Sequence, residues 1–146
     1  MVLSGLRLSA SVGPSWDDDA AFAIDLSGRF PRFRIYAEAE KGNRDRLLPM
    51  TPDFAEFLLA TPEHERHGRV FRLIGLQTGE PILAKNVGET ISDIGRRAGV
   101  VVDKTEDKHA SAYDFRRAFG TRWSNRVKRP RLQLMMRHAS INTTLG

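Results

Sequence analysis

Ser111-Ala112-Tyr113-Asp114-Phe115-Arg116-Arg117-Ala118-Phe119-Gly120-Thr121-Arg122-Trp123-Ser124-Asn125-Arg126-Val127 sets the reading of everything around it. Ser111 and Asp114 have the spacing of a capping box, in which side chains three residues apart satisfy the first free N–H groups of a helix. Phe115, Phe119, Trp123 and Val127 then recur every fourth residue and predict the helix's inward face. Arg129-Pro130 opens a second, short helix through Met136, because proline is tolerated in a first helical turn. The same stretch is uniformly cationic. After Asp114 there is no Asp or Glu, while Arg116, Arg117, Arg122, Arg126, Lys128, Arg129, Arg131 and Arg137 all follow. His138 lies just past the second helix.

That asymmetry matters more than the net charge of +5. The eight cations from Arg116 onward leave fifteen bases against eighteen acids in the rest. A segregated basic face is the footprint of a polyanion-binding surface, and double-stranded DNA is the expected partner. A solvated helix face is the bland alternative. The 146 residues suffice for one domain with its own core. With no cysteine, disulfides and Cys-ligated zinc are excluded and a reducing compartment is expected. No apolar run approaches a membrane span and the start lacks a signal peptide's apolar centre, so no membrane partner and a cytoplasmic location are expected.

Upstream, residues 1–12 read as the tail of a helix that Gly13-Pro14 breaks. Segments 21–26, 32–38 and 44–50 have strand character. Phe33, Ile35 and Ala37 alternate with Arg32, Arg34 and Tyr36, which is the period of a half-buried strand. Ser27-Gly28 and Gly42-Asn43 supply the turns. Thr51-Pro52 caps a helix with Phe54, Phe57 and Leu58 on one face. Val87, Ile91, Ile94 and Ala98 define another amphipathic helix, closed by Gly99. Residues 100–109 read as a polar loop. His64 and His67 stand three apart without a third ligand in sight, so no metal site is expected. The sum is an α+β domain, mainly helical, with one small three-stranded antiparallel sheet.

Four short boxes fall in one order along this frame. They are Ser4-Gly5-Leu6-Arg7-Leu8-Ser9, Glu40-Lys41-Gly42-Asn43-Arg44-Asp45-Arg46-Leu47-Leu48-Pro49, Tyr113-Asp114-Phe115-Arg116, and Arg137-His138-Ala139-Ser140-Ile141-Asn142-Thr143-Thr144. Each alone is weak, but together they resemble the catalytic domain of the tyrosine recombinases, the phage-integrase family, over nearly the whole chain. The resemblance implies site-specific DNA recombination and integration without metal or cofactor. It implies that Arg7 and Arg116 bind the phosphate, Lys41 is the general acid, His138 hydrogen-bonds the scissile phosphate and Tyr113 stands at the base position. Arg117, Arg122, Arg126, Lys128, Arg129, Arg131 and Arg137 would line the DNA, and other recombinase protomers are further partners. Arginine suits phosphate because its planar fork donates two parallel hydrogen bonds and stays charged.

Three positions depart from the family's pattern. Tyr113 replaces the usual His or Lys, Ala10 replaces an acid after the first arginine, and Arg137 replaces the Gly before the last His. The family's nucleophilic Tyr comes nine residues after that His, which is one position beyond Gly146. Residues 1–146 are therefore expected to be a single catalytic-type domain, truncated just before the nucleophile, lacking the amino-terminal DNA-clamping domain and unable to cleave. The competing readings are a non-catalytic remnant that holds DNA or a partner recombinase, and a helix-turn-helix regulator built on residues 111–137. The latter leaves the Lys41 hairpin without a role.

Overall fold

A computed structural model describes residues 1–39 and 43–138. Its sheet follows the alternation of the sequence. Strands β1 (Phe22–Asp25), β2 (Arg32–Ile35) and β3 (Arg46–Pro49) pair antiparallel in that order. Phe33 lies opposite Ile24 on one side and Leu48 on the other. All three are buried. Full burial of a side chain such as Phe33 stabilises the fold by about 2–3 kcal/mol.

Helix α2 (Pro52–Leu59) closes this core with Phe54 and Leu58, whereas Phe57 stays half exposed. Thr51 caps it, its Oγ1 accepting from the Phe54 N–H at 3.2 Å. The same hydroxyl donates to the Leu3 carbonyl at 2.7 Å and so ties the start of the chain to the sheet. Leu6 fills the same core at 1% exposure. The expected opening helix contracts to α1 (Leu8–Ser11), because Gly5 at φ +67 turns the chain just ahead of it.

A second core lies between α4 (Ala112–Ser124) and α5 (Arg129–Met136), built from Phe119, Trp123, Leu132, Met135 and Met136. The capping box at the head of α4 is present, with the Ser111 N–H and hydroxyl both donating to Asp114 Oδ2, at 2.9 and 2.7 Å. Helix α3 (Ala84–Arg97) joins the two halves: Gly88 lies against Leu8 of α1, and Gly95 presses on the Ala110 carbonyl so closely that a Cβ would lie 2.1 Å from it.

Two further expectations change. Residues 100–109 are not a plain loop: β4 (Val101–Asp103) and β5 (Lys108–His109) form a small hairpin. Phe115 does not face inward and is 47% exposed; the buried stripe of α4 runs through Ala112, Arg116, Phe119 and Trp123 instead. The three-stranded sheet and the mainly helical α+β architecture stand as read. Among the described residues, no helix is long and apolar enough to cross a membrane.

Candidate functional site

Arg116 is the joint of the molecule. It is 3% exposed, and its guanidinium reaches two backbone carbonyls. Nη1 donates to Gly5 and Nη2 to Met136. The first carbonyl is two residues before Arg7 and the second is two before His138. One side chain thus brings both ends of the described chain to the same place. Burial, then the charges of Arg7 and Arg137, push its pKa down to about 10, with Tyr113 acting in the opposite sense. Arg116 remains a cation at neutral pH.

Arg7 follows directly from the Gly5 turn. Leu6 is anchored in the core, so Arg7, next in the chain, projects outward at the N-terminus of α1. It borders two depressions. The larger, a cleft of about 900 Å³, is lined by Arg7, Arg46, Arg69, Arg137 and His138 among others. The smaller, about 600 Å³, holds Arg7 beside Tyr113 and Arg116.

His138 is placed by the end of α5. Its N–H donates to the Gln133 carbonyl at 3.1 Å, and Gln133 Nε2 donates to the His138 carbonyl at 3.2 Å. Burial, then Arg116 and Arg7, lower the His138 pKa from its ordinary 6.5, so the ring is neutral at neutral pH. Arg7, near one end of the described chain, and Arg137 and His138, at the other, therefore line one depression, and Arg116 lies close enough behind it to lower the His138 pKa. Like charges gathered in this way destabilise the empty site and favour an anion in it. The one acid among the described lining residues of the larger cleft, Asp17, already accepts from Ser15 Oγ and the Gly68 N–H.

The remaining sequence-predicted residues sort differently. Lys41 lies outside the described residues, as do 139–146. Tyr113 is exposed at the head of α4 and faces the smaller depression. Arg117, Arg122, Arg126, Lys128, Arg129 and Arg131 are exposed along α4, α5 and the turn between them, and none lines the larger cleft. Arg117 pairs with Asp114 and Arg122 with Asp53, each at 3.5 Å, while Arg126 stacks over Trp123. Such exposed pairs hold little energy and release readily to a stronger anion.

Arg46 and Arg69 were not singled out from the sequence. Arg46 stands at the start of β3 beside a recognised box. Arg69 carries no local signal. It reaches the cleft because the Val70 N–H donates to Pro14 and the Arg69 guanidinium to Gly13. His64 lies beside Glu65 at 3.7 Å, and no group of three metal-ligating side chains forms among the described residues.

No family model matches the sequence, and no curated protein matches it. Solved structures do. XerA recombinase superposes with a TM-score of 0.58 at 19% identity, covering 98% of this chain and 48% of that one. XerH site-specific recombinase bound to its difH substrate in a pre-cleavage complex gives 0.59 at 19% identity, covering 99% and 39%. The Tn1549 transposon integrase in complex with circular intermediate DNA gives 0.60 at 19% identity, covering 99% and 51%. The chain thus spans about half the length of these proteins or less. It shares their fold, which is tyrosine recombinase catalytic-domain-like.

Proposed function

We propose that this chain is a DNA-handling domain of the tyrosine recombinase type, which seats a backbone phosphate of duplex DNA among Arg7, Arg116 and His138. The observation that carries the reading is the Arg116 clamp: one buried guanidinium assembles two cationic segments far apart in sequence around a single cleft. The solved structures of similar fold that hold DNA support it. In a transesterification, Arg7 and Arg116 would stabilise charge developing on the nonbridging oxygens and His138 would hydrogen-bond one of them. Lys41, by its sequence box, would protonate the leaving 5′ oxygen. Tyr113 would hydrogen-bond phosphate through its phenol hydroxyl. The exposed cations of α4 and α5 would follow the flanking backbone.

Residues 1–146 bind DNA without cutting it. Tyr36 and Tyr113 are the only tyrosines. The Tyr36 hydroxyl, just past the central strand β2, donates to the Asp18 carbonyl at 3.4 Å and does not line the larger cleft, and Tyr113 lines the smaller depression beside Arg7 and Arg116. A helix-turn-helix regulator is disfavoured because Arg116, central in the first helix of that motif, is spent on Gly5 and Met136.

The test has two arms. With about four to six phosphates neutralised, log affinity for a duplex falls against log salt with a slope of roughly −4 to −5. On nicked suicide duplexes, no covalent adduct survives a denaturing gel. A slope near zero overturns the DNA assignment, and a surviving adduct overturns the assignment of the two tyrosines.

A further inference from the structure

We propose that Arg69 holds a second phosphate of the DNA strand, farther along the larger cleft than the one seated by Arg7, Arg116 and His138. The proposal rests on the DNA-binding reading above and extends its site along the strand. Arg69 comes to the cleft on a segment outside any helix or strand. Hydrogen bonds stitch that segment to residues 14–17. The Trp16 N–H donates to the Gly68 carbonyl at 2.9 Å, and the Val70 N–H to the Pro14 carbonyl at 3.0 Å. The Gly68 N–H donates to Asp17 Oδ1 at 3.0 Å. Residue 69 is therefore fixed from both sides, by its neighbours at 68 and 70.

Three arginines fall on this stretch, and two of them turn back onto it. Arg66 Nε donates to the Thr61 carbonyl at 2.8 Å and its Nη2 to the Leu59 carbonyl at 3.1 Å. Arg72 Nη2 donates to the His67 carbonyl at 2.9 Å. Arg69 instead crosses to another part of the chain, where its Nη1 donates to the Gly13 carbonyl, 56 residues away in sequence. The side chain is exposed and lines the larger cleft. A guanidinium carries five donors, so the bond to Gly13 positions the group and leaves the rest for solvent or a ligand. A cation already held by a carbonyl loses little side-chain freedom when a phosphate docks on it.

The same bond sets how far Arg69 stands from the Arg7 group. Arg7 and Val12 cap α1, and at about 1.5 Å of rise per residue the stretch from Arg7 to Gly13 covers about 9 Å. Arg7 is near enough to Arg116 and His138 to lower both pKa values, and Arg69 is not among the charges acting on either. The cleft thus offers two separate sets of donors rather than one crowded cluster. Phosphates of one strand advance about 3.4 Å each along the duplex axis, which puts Arg69 within about one to three phosphates of the first. The ligand class is the same phosphodiester backbone, and a contact to it positions the strand without reading sequence.

The 146-residue protein is compared with Arg69→Gln, Arg69→Lys and Arg72→Ala by anisotropy titration of a short duplex over a salt series. The His138 ring is followed by NMR in the parent and in Arg69→Gln. Arg69→Gln binds about tenfold more weakly at low salt, with a salt slope shallower by about 0.9. Arg69→Lys keeps the parent slope, and Arg72→Ala keeps both slope and affinity. In Arg69→Gln saturated with DNA the His138 midpoint rises as it does in the parent, because the first phosphate stays seated. Undiminished binding by Arg69→Gln, where the parent protein binds, overturns this inference alone. A loss of affinity at unchanged slope also overturns it, since Arg69 is then only a brace of the Gly13 turn. So does a His138 midpoint in Arg69→Gln that no longer responds to bound DNA, which puts Arg69 at the first phosphate. A parent protein that does not bind DNA overturns the functional reading beneath it as well.

Discussion

Arg116→Ala costs about 3–5 kcal/mol of folding stability, although arginine is the least expected side chain in a core. The substitution leaves the Gly5 and Met136 carbonyls buried without their donors and opens a cavity between the two halves of the domain. Each orphaned carbonyl accounts for about 1–3 kcal/mol. Denaturant unfolding reads this as a lower midpoint at unchanged slope. Arg116→Lys recovers only part of the loss, because a single ammonium on a flexible stem does not reproduce a rigid fork reaching two carbonyls. DNA affinity falls with stability, since Arg7 and His138 are no longer held together. If Arg116→Ala proves as stable as the parent protein, the clamp is not what assembles the site.

Gly5→Ala produces a loss of similar size from one added carbon. A Cβ at residue 5 would lie 2.5 Å from Cε1 of Phe119, a ring with no exposed surface, and φ there is +67. The clash and the left-handed backbone act together, at about 1–3 kcal/mol each. The damage reaches function because Arg7 follows two residues later, directly after the core anchor Leu6. Combining Gly5→Ala with Phe119→Leu relieves the steric part and leaves the backbone part. The double variant should therefore be more stable than the sum of the two single losses predicts. Strict additivity would mean that Gly5 does not rest on Phe119.

Much of this architecture was legible in the residues. The alternation through Phe33 and Ile35 gave the central strand, Thr51-Pro52 the start of α2, and Ser111 with Asp114 the head of α4. The errors have a common cause. Periodicity weighs apolar side chains, so it put Phe115 inside and Arg116 outside, whereas the buried stripe passes through Arg116. An arginine enters a core only where tertiary folding presents acceptors to it, and the Gly5 and Met136 carbonyls are 111 and 20 residues away in sequence. The hairpin of β4 and β5 escaped because strands of three and two residues give periodicity nothing to act on.

Charge told a similar story. A run of eight cations read as one surface, but the fold turns Arg116 inward, leads Arg137 to the cleft and spreads the other six along the outside. Arg69 joins the cleft from a loop with no motif of its own. The glycine that the family resemblance expects before the last histidine also has its physical reason in the fold. It is the left-handed residue of the turn that ends α5, a conformation Arg137 adopts in its place.

His138 offers the most direct reading of whether a phosphate occupies this site. Its ring is close enough to Arg116 and Arg7 for both to lower its pKa, after burial. A phosphodiester seated among those cations offsets them and favours the protonated ring. Proton linkage then requires DNA affinity to strengthen as pH falls through the window between the free and bound midpoints. The measurement is an NMR titration of the His138 ring protons, first in the free protein and then saturated with duplex DNA, with His64, His67 and His109 as internal references. The expected result is a free midpoint below 6.5 that moves upward for His138 on saturation, while the other three shift less. A His138 midpoint unchanged by DNA that is demonstrably bound would place the phosphate elsewhere and contradict the assignment of the cleft.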